Sequence, residues 1–243
     1  MKPELHYCLP GEVPYQTARI WQQSRVSLAA TAETNLTDSF LLLTHPPVYT
    51  LGQGGDARYL KFDPETSDTD VFRVERGGEV TYHGPGQWVG YPILDLRRHR
   101  RDLHWYLREL EAVLIDVCAQ LGLTADRVPG LTGVWIEGRK VAAMGIRATK
   151  WISWHGFALN VRTDLSAFDR IVPCGIDDRP VGSLHQFLPE ISMAAVQPLI
   201  VRAMGDRFQL VPRCIDLQEW LAGDAKCPTT APNSARSTSD ATR

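Results

Sequence analysis

The stretch RGGEVTYHGPGQ, residues 76–87, carries the strongest structural signal in this sequence. Five of its twelve residues are glycine or proline, and glycines allow a backbone to approach a ligand closely. An arginine, a tyrosine and a histidine add hydrogen-bond donors and an aromatic wall. Two strand-like apolar runs flank the stretch, VFRVE at 71–75 and VGYPILDL at 89–96. The pattern predicts a ligand-binding loop that a β-sheet holds in place.

The segments before this loop predict one helix and one buried strand. Residues 15–30 follow Pro14, a suitable helix start, and have helical composition. The run FLLL at 40–43 is continuously apolar, which is typical of a strand buried on both faces. Residues 53–70 are polar and rich in turn residues, and we interpret them as a loop.

The segments after the loop predict helices and antiparallel hairpins. Leucine and valine recur every three or four residues over 103–121, which predicts an amphipathic helix that Asp102 caps. Residues 131–161 predict successive strands with a hairpin turn at 137–139. Further helices are predicted at 192–208, where Pro198 can interrupt the helix, and at 216–221. Hairpins mixed with helices favour an α+β (mixed α/β) domain.

The composition excludes several classes of protein. The chain has 243 residues, of which 44% are hydrophobic and 22% charged, as in ordinary globular proteins. A formal net charge of −2 gives no general attraction to nucleic acid. No apolar run approaches the roughly 18 residues of a membrane span, and the N-terminus has no signal-like apolar core. The five cysteines are scattered without CxxC spacing, which favours free thiols, no metal site and a cytoplasmic location.

The C-terminal residues 223–243 contain no Leu, Ile, Val, Met or aromatic residue. Such a segment cannot bury enough apolar surface to offset its ordering entropy. We therefore predict one folded catalytic domain over 1–222 and a disordered tail over 223–243.

The loop at 76–87, followed by YPILDL, resembles the signature of the lipoyl(octanoyl) transferases. These belong to a superfamily with the lipoate–protein ligases and the biotin protein ligases. AMGIR at 143–147 and HGFALNV at 155–161 match further motifs, and the similarity runs from about residue 5 to 220. The resemblance implies a single domain with a mixed, largely antiparallel sheet flanked by helices, like the catalytic core of those ligases.

Two residues are candidates for the chemistry. Cys174 lies in IVPCGID, where the flanking proline and glycine disfavour regular structure and can expose a thiol in a turn. Lys140 begins an apolar strand, and a nearby ammonium raises the thiolate fraction of a cysteine. The residues alone leave open a chance loop cysteine and a hairpin-end lysine with its head in water. The resemblance implies that Cys174 and Lys140 form a catalytic dyad.

The resemblance also implies a set of residues that line the site for the acyl chain and the pantetheine arm. They are Arg76, Gly77, Gly78, Glu79, Val80, Thr81, Tyr82 and His83 from the loop, Ala143, Met144 and Gly145 after the lysine, and Gly156, Phe157 and Ala158 in the next strand. For the wall of the acyl slot, the candidates are Tyr82, Tyr91, Val141, Ala143 and Phe157, each of which can instead belong to the core.

Several histidines compete for a role in proton transfer. His83 lies in the loop, and a Cys–His pair is a common arrangement in thiol enzymes. His155 and His185 are alternatives. Because Lys140 already supplies a partner for a thiolate, we favour a structural or substrate-positioning role for His83. His45, before two prolines, is predicted to fix a strand end or to line the pocket.

The activity that the resemblance implies is transfer of an octanoyl group, without ATP, cofactor or metal. The donor is octanoyl-acyl carrier protein, and the acceptors are lysines of the lipoyl domains of 2-oxoacid dehydrogenase complexes and of the glycine-cleavage H protein. Cys174 carries the acyl group as a thioester, in the first step of endogenous lipoate biosynthesis. We expect a monomer. The basic run at 97–101 is either a docking surface for such acidic partners or a solvated loop.

Three alternatives remain open from the sequence. A lipoate–protein ligase would use the same loop and Lys140 with ATP, but would not need Cys174. An amidotransferase would take the octanoyl group from a lipoyl domain instead of acyl carrier protein. A catalytically silent acyl-carrier-binding protein would keep the pocket and lose the dyad.

Overall fold

A computed structural model describes residues 2–31, 36–172 and 180–223. Cys174 and residues 224–243 of the predicted tail lie outside the described residues. The strands are β1 (Glu4–Cys8), β2 (Asp38–Leu43), β3 (Val48–Leu51), β4 (Asp70–Arg73), β5 (Val80–His83), β6 (Gln87–Ile93), β7 (Asp126–Val128), β8 (Leu131–Ile136), β9 (Arg139–Thr149), β10 (Ile152–Asn160) and β11 (Val211–Cys214). The helices are α1 (Tyr15–Thr31), α2 (Leu103–Gln120), α3 (Ser166–Asp169), α4 (Met193–Phe208) and α5 (Leu217–Ala222).

Two sheets organise these elements. The larger has eight strands in the order β11-β1-β2-β6-β10-β9-β8-β7, and the smaller has three in the order β4-β3-β5. In the larger sheet β1 runs parallel to both of its neighbours, and the other pairs are antiparallel. The prediction of a mixed, largely antiparallel sheet in an α+β fold is confirmed.

Helices cover both faces of the larger sheet, as predicted. One core cluster joins its first face to α2 and α4, and includes Leu110, Leu114 and Val117 of the predicted stripe, whereas Leu103 is exposed. A second cluster joins the opposite face to α1 and α5. Asp102 caps α2 by accepting a hydrogen bond from the backbone N–H of Trp105 at 3.0 Å. Both α2 and the fully buried strand β2 lie where the sequence pattern places them.

Strands β8, β9 and β10 form the antiparallel meander that carries much of the site. Glu137 and Gly138 make the turn between β8 and β9 with φ of 48° and 76°, as two-residue hairpin loops require. Strand β9 then pairs with β10 over eight consecutive residue pairs. Every residue of β10 is buried, so this strand lies at the centre of the molecule.

Parts of the fold differ from the sequence prediction. Strands β1, β7 and β11 were not predicted, because they are short and carry polar residues or proline. They lie at or near the two edges of the larger sheet. Helix α4 continues through Pro198 without a break.

Within the part of the chain that the structure describes, every helix is too short or too polar to cross a lipid bilayer.

Candidate active site

A narrow cavity of about 80 Å³ lies between the larger sheet and the three-stranded sheet. Its floor is made by small residues that face each other across β9 and β10, with Ala143 opposite Ala158 and Gly145 opposite Gly156. Thr81 and His83 of β5 line it from the smaller sheet. The short side chains of Ala143 and Ala158 leave space between the two sheets. The space beside Gly145 and Gly156 is taken by Arg76 and by the backbone of Gly90.

Arg76 holds the glycine-rich loop against the smaller sheet. Its guanidinium donates to the carbonyl and the hydroxyl of Thr50 at 2.7 Å and 2.9 Å, and to the carbonyl of Glu79 at 2.8 Å. Gly145 makes this arrangement possible, because a Cβ there would lie 2.8 Å from Cδ of Arg76 and 2.9 Å from the carbonyl of Gly77. The buried arginine is thus a structural clamp that shapes the loop around the cavity.

A chain of hydrogen bonds links His83 to the strand that carries Lys140. Gln87 accepts from Nδ1 of His83 at 2.8 Å and donates its amide to Oδ1 of Asn160 at 2.9 Å. Asn160 donates to the carbonyl of Gly182 at 2.9 Å, and the N–H of Gly182 donates to the carbonyl of Lys140 at 3.0 Å. Because the amide nitrogen of Gln87 is a donor, its oxygen accepts, and His83 carries its proton on Nδ1.

Burial keeps His83 neutral. Burial, and next the neighbouring His45, lower the pKa of this histidine to about 3. A neutral imidazole fixed by Gln87 has the geometry of a positioning group. This agrees with the role that we favour for His83 from the sequence.

Lys140 lies at the start of β9, and its side chain crosses a space that Gly133 leaves open. Gly133 has a φ of 141°, and a Cβ at this position would lie 2.5 Å from Cε of the lysine. The N–H of Gly133 donates to the fully buried carboxylate of Glu111 at 3.0 Å, so α2 fixes the glycine in place. The ammonium of Lys140 lies 5.7 Å from the centroid of the Trp135 ring. The amine therefore has a defined direction at the wall of the cavity.

A second, wider cavity of about 380 Å³ adjoins the first. It lies towards α2 and β8, and Leu107, Trp135 and Ile146 form part of its wall. Lys140 and Met144 line both cavities, as do Gly145 and Val181. Lys140 therefore stands where a narrow slot meets a broader opening.

The structure brings most of the predicted site residues to one place. The narrow cavity is lined by Lys140, by Arg76, Gly78, Glu79, Val80, Thr81 and His83 of the loop, and by Ala143, Met144, Gly145, Gly156, Phe157 and Ala158. Gly77 lines the wider cavity instead. Of the candidates for the wall of the acyl slot, Tyr91, Ala143 and Phe157 line the narrow cavity.

Two candidate lining residues belong to the core instead. Tyr82 alternates with Thr81 and His83 along β5, so its ring faces away and packs 5.3 Å from that of Tyr49. Val141 lies where the register between β8 and β9 shifts, and it is fully buried in the main core. Tyr82 and Val141 therefore belong to the hydrophobic core and do not line the narrow cavity.

The remaining histidines occupy different surroundings. His45 bonds through Nδ1 to the carbonyl of Val13 at 2.6 Å and through Nε2 to the hydroxyl of Tyr91 at 2.7 Å. It fixes a strand end as predicted, and burial lowers its pKa to about 4. His155 lines the narrow cavity, whereas His185 bonds to Ser183 in a short turn.

Several lining residues escaped the sequence analysis. Gln87 and Asn160 lie inside two of the motif stretches, 76–87 and 155–161, and that position was the available signal. Tyr15, Phe168 and Val181 also line the narrow cavity. They come from α1, α3 and the segment after residue 179, and no local pattern marks them.

The basic run at 97–101 is bound into the fold through carboxylates of the chain. Arg97 pairs with Asp95 at 2.7 Å, and Arg98 pairs with Asp38 at 2.6 Å. Arg100 pairs with Asp102 at 3.0 Å. These contacts balance much of the local charge, which favours the interpretation of a structural loop over that of a docking surface.

The chain segments on either side of Cys174 are anchored near the site. The N–H of Val172 donates to the carbonyl of Tyr59 at 2.8 Å, and the carbonyl of Pro180 accepts from the N–H of Lys140 at 2.9 Å. Cys174 itself lies outside the described residues. Cys8 and Cys118 are buried free thiols, and Cys214 is an exposed one. Burial raises the pKa of Cys118 to about 12, which agrees with a packing role.

The chain is similar to known proteins over most of its length. A curated octanoyltransferase from Synechococcus sp. (strain JA-2-3B'a(2-13)) is 54% identical over 232 residues, which cover 90% of this chain and 88% of the relative. An octanoyltransferase from Nostoc sp. (strain PCC 7120 / SAG 25.82 / UTEX 2576) is 56% identical over 212 residues, with 86% and 96% covered.

The fold is similar to that of a lipoate-protein ligase A whose crystal structure contains ATP. The TM-score is 0.73 at 16% identity, over 91% of both chains. The family profile of the lipoyl protein ligase A/B catalytic domain matches residues 17–205, which include the loop, Lys140 and every described lining residue of the two cavities except Tyr15. The chain belongs to the lipoyl protein ligase A/B catalytic-domain family.

Proposed function

We propose that this protein is an octanoyltransferase that moves an octanoyl group from acyl carrier protein to the acceptor lysine of a lipoyl domain. Its relatives at 54% and 56% identity carry that name and are covered over most of their length. The observation that carries the proposal is the place of Lys140, at the junction of a narrow slot and a wider cavity.

The catalytic pair in this proposal is Cys174 and Lys140. Cys174 is six residues before Pro180 in the sequence, and the carbonyl of Pro180 accepts from the backbone of Lys140 at 2.9 Å. This short connection supports an approach of the thiol to the amine. A lysine beside a cysteine stabilises the thiolate or accepts its proton, and the thiolate is the reactive nucleophile.

The reaction proceeds in two balanced steps. The thiolate of Cys174 attacks the thioester carbonyl of the donor, and the donor's thiol leaves with the proton that the cysteine lost. The ε-amine of the acceptor lysine then attacks the octanoyl-enzyme thioester, forms an amide and returns a proton to the cysteine. A thioester is converted to an amide, so the cycle requires no ATP, cofactor or metal.

Each cavity has a role in this scheme. The narrow cavity, with its floor of alanine and glycine, receives the acyl chain, whose burial contributes about 0.8 kcal/mol per CH₂ group. The wider cavity, which shares Lys140 and Met144 with the slot, receives the pantetheine arm of the donor. The reacting carbonyl then lies between them, beside the lysine.

The partners follow from the same proposal. The donor is acyl carrier protein, and the acceptors are lipoyl domains of 2-oxoacid dehydrogenase complexes and the glycine-cleavage H protein. The enzyme acts as a monomer in the cytoplasm. Transfer from a lipoyl-domain donor would instead identify an amidotransferase.

Intact-mass measurement after incubation with octanoyl-acyl carrier protein tests the proposal. We expect an adduct of about 126 Da on the wild type and on the control Cys214→Ala, whose thiol is exposed. Cys174→Ala should show none, and Lys140→Ala should form it far more slowly. An apo lipoyl domain should release the adduct without ATP. An unlabelled wild type that modifies the domain from free octanoate and ATP would contradict the proposal and indicate a ligase.

A further inference from the structure

Strand β9 has a free edge beside the wider cavity. The pairing of β8 with β9 begins at their hairpin turn and ends where Val134 lies opposite Ala142. Strand β9 continues to Thr149 and pairs with β10 along its other side. In the described part of the chain, no strand of the larger sheet therefore covers this edge of β9 beyond Ala142.

The wider cavity fills the gap that β8 leaves. Residues 130–132, at the start of β8, line one side of it. Residues 77–79 of the glycine-rich loop line another side, and residues 144–146 of β9 line a third. Along this edge the cavity takes the place that a neighbouring strand would occupy.

The backbone of Met144 points into this gap. Within a strand, the N–H and C=O of one residue point to the same side, and those of the next residue point to the opposite side. The carbonyl of Ile146 accepts from the N–H of Gly77 at 3.0 Å. Because β10 occupies the other side of β9, this bond lies on the free edge. Met144, two residues earlier, presents its N–H and C=O to the same edge.

The protein itself leaves this N–H open to a ligand. The pairing with β8 ends two residues before Met144, and the loop reaches β9 two residues after it. The side chain of Met144 packs against the main core cluster, so it does not lie along the edge. Unpaired backbone N–H groups are rarer in native proteins than unpaired carbonyls, which makes the N–H the more informative of the two groups.

An extended chain with amide groups is the ligand that a free strand edge binds. The pantetheine arm of the proposed donor has this chemistry, because an amide follows its sulfur after two methylene groups. Bond lengths place the carbonyl carbon of that amide about 6 Å from the carbonyl carbon of the thioester.

This spacing matches the distance from the amine of Lys140 to Met144. Cε of Lys140 lies beside Gly133, which precedes Val134 in β8 and stands at the closed end of the gap. Met144 is two residues beyond Ala142, or about 7 Å further along β9. Because β9 runs away from the closed end, a chain that leaves the lysine meets the N–H of Met144 before its carbonyl.

Together with the proposed octanoyl transfer, on which this step rests, the geometry points to recognition of the donor by the backbone of β9. We propose that the N–H of Met144 donates a hydrogen bond to the carbonyl of the amide nearest to the thioester. The bond aligns the pantetheine arm with the free edge and holds the reacting carbonyl beside Lys140. It is made by the main chain, so it does not depend on the side chain at this position.

Isotope labelling of the four methionines with ¹⁵N places a direct probe on this N–H. The Cys174→Ala protein is used to prevent turnover, and the Met144 signal is assigned by its loss in Met144→Val. At saturation, the octanoyl thioester of N-acetylcysteamine, which has the amide, should move the Met144 proton downfield. The octanoyl thioester of 2-ethoxyethanethiol has the same length and no amide, and it should bind without this shift.

Transfer kinetics measure what the bond contributes. The wild type should use the N-acetylcysteamine thioester with a kcat/KM about tenfold above that for the ethoxyethyl thioester, the size expected for one hydrogen bond. Met144→Pro removes the N–H on the free edge and keeps the pairing with β10, and it should lose this preference. Met144→Val keeps the N–H at nearly the size of proline, and it should keep the preference even where its rates with both donors fall. Thermal unfolding of each variant checks the fold.

A Met144 proton that responds alike to the two thioesters would overturn the inference, as would an equal preference in the Pro and Val variants. If Met144→Pro does not fold, the labelled protein decides alone. Failure of the proposed function has a different signature. A protein whose Met144 proton answers only to the amide, but which forms no octanoyl adduct with any donor, would refute the transfer reaction and leave the binding edge in place.

Discussion

The backbone N–H of Gly133 donates to the buried carboxylate of Glu111 at 3.0 Å, and the same glycine leaves room for the side chain of Lys140. Through this bond to Gly133 on β8, helix α2 helps to set the position of Lys140 on the neighbouring strand β9. Three predictions on side chains around the site and one on pH follow from contacts of this kind.

Gly133→Ala should displace the amine of Lys140. The new Cβ would lie 2.5 Å from Cε of the lysine, at a φ of 141° that only glycine adopts readily. We expect octanoyl transfer to fall at least about tenfold, and stability to fall by about 1–3 kcal/mol from backbone strain. Gly138→Ala is the matched control, because it has a φ of 76° and no atom within 4 Å of the added Cβ. Equal losses of transfer in both variants would contradict the role of Gly133.

Glu111→Gln should destabilise the fold much more than the loss of an exposed ion pair on the same helix. Glu111 is fully buried and accepts from Arg108 at 2.6 Å and from Arg127 at 2.8 Å. The substitution weakens charge-assisted hydrogen bonds to two partly exposed arginines and to the N–H of Gly133, and we expect a loss of about 2 kcal/mol in urea unfolding. Asp116→Asn, which breaks the exposed pair with Arg207, should cost about 1 kcal/mol or less. Similar losses in both variants would show that burial of Glu111 does not matter.

Arg76→Lys should loosen the glycine-rich loop. The guanidinium donates to Thr50 through two nitrogens and also reaches the carbonyl of Glu79, which a single ammonium cannot reproduce. We expect KM for the acyl donor to rise several-fold, and stability to fall by about 2 kcal/mol. Arg73→Lys provides the comparison, since Arg73 donates to the carbonyl of Gly55 from an exposed position nearby. An unchanged KM in Arg76→Lys would show that Arg76 does not shape the loop for binding of the donor.

The buried histidines should make the protein sensitive to acid. Burial lowers the pKa of His45 to about 4 and those of His83 and His155 to about 3, below the ordinary value for histidine. The unfolded chain therefore binds more protons between about pH 6.5 and pH 4, so stability is complete above that range and falls with acidification. Each histidine contributes a slope of about 1.4 kcal/mol per pH unit in this window.

Chemical denaturation at several pH values measures this effect. His83→Gln should reduce the slope of stability against pH by about 1.4 kcal/mol per pH unit, which corresponds to the uptake of one proton fewer on unfolding. His45→Gln should do the same. Identical slopes in wild type and variants between pH 4 and 6 would show that these histidines are not kept neutral by folding.

The sequence predicted the central elements because their hydrophobic patterns are strong. The continuously apolar β2 and the stripe of α2 lie where the pattern places them, and the Glu137–Gly138 turn carries its own chemical signal. The strands that escaped prediction lack such signals. Strand β11 is four residues with a proline, and it pairs with β1, about 200 residues away along the chain. Pairing over such a separation is decided by tertiary contacts, not by local preference.

The site was predictable as a set of motifs but not as a shape. The resemblance named the loop, Lys140 and the small residues of β9 and β10, and the structure places them around common cavities. The resemblance could not show that Thr81 lines the cavity whereas Tyr82, on the opposite side of β5, does not. Nor does any pattern reveal that Glu111 and Gly133 fix the lysine. Three-dimensional contacts determine which face of a strand turns towards the site and how a helix packs on the sheet.

The floor of small residues on β9 and β10 also bears on how such a site can change over evolutionary time. Ala143, Gly145, Gly156 and Ala158 contribute space and no reactive group to the cavity. Substitution of Ala143 or Ala158 by a larger residue would narrow the slot while Lys140 keeps its place. A side chain at Gly145 or Gly156 would instead meet Arg76 or the carbonyl of Gly90. Selectivity for the acyl group can therefore change through the two alanines, independently of the reaction that the site performs.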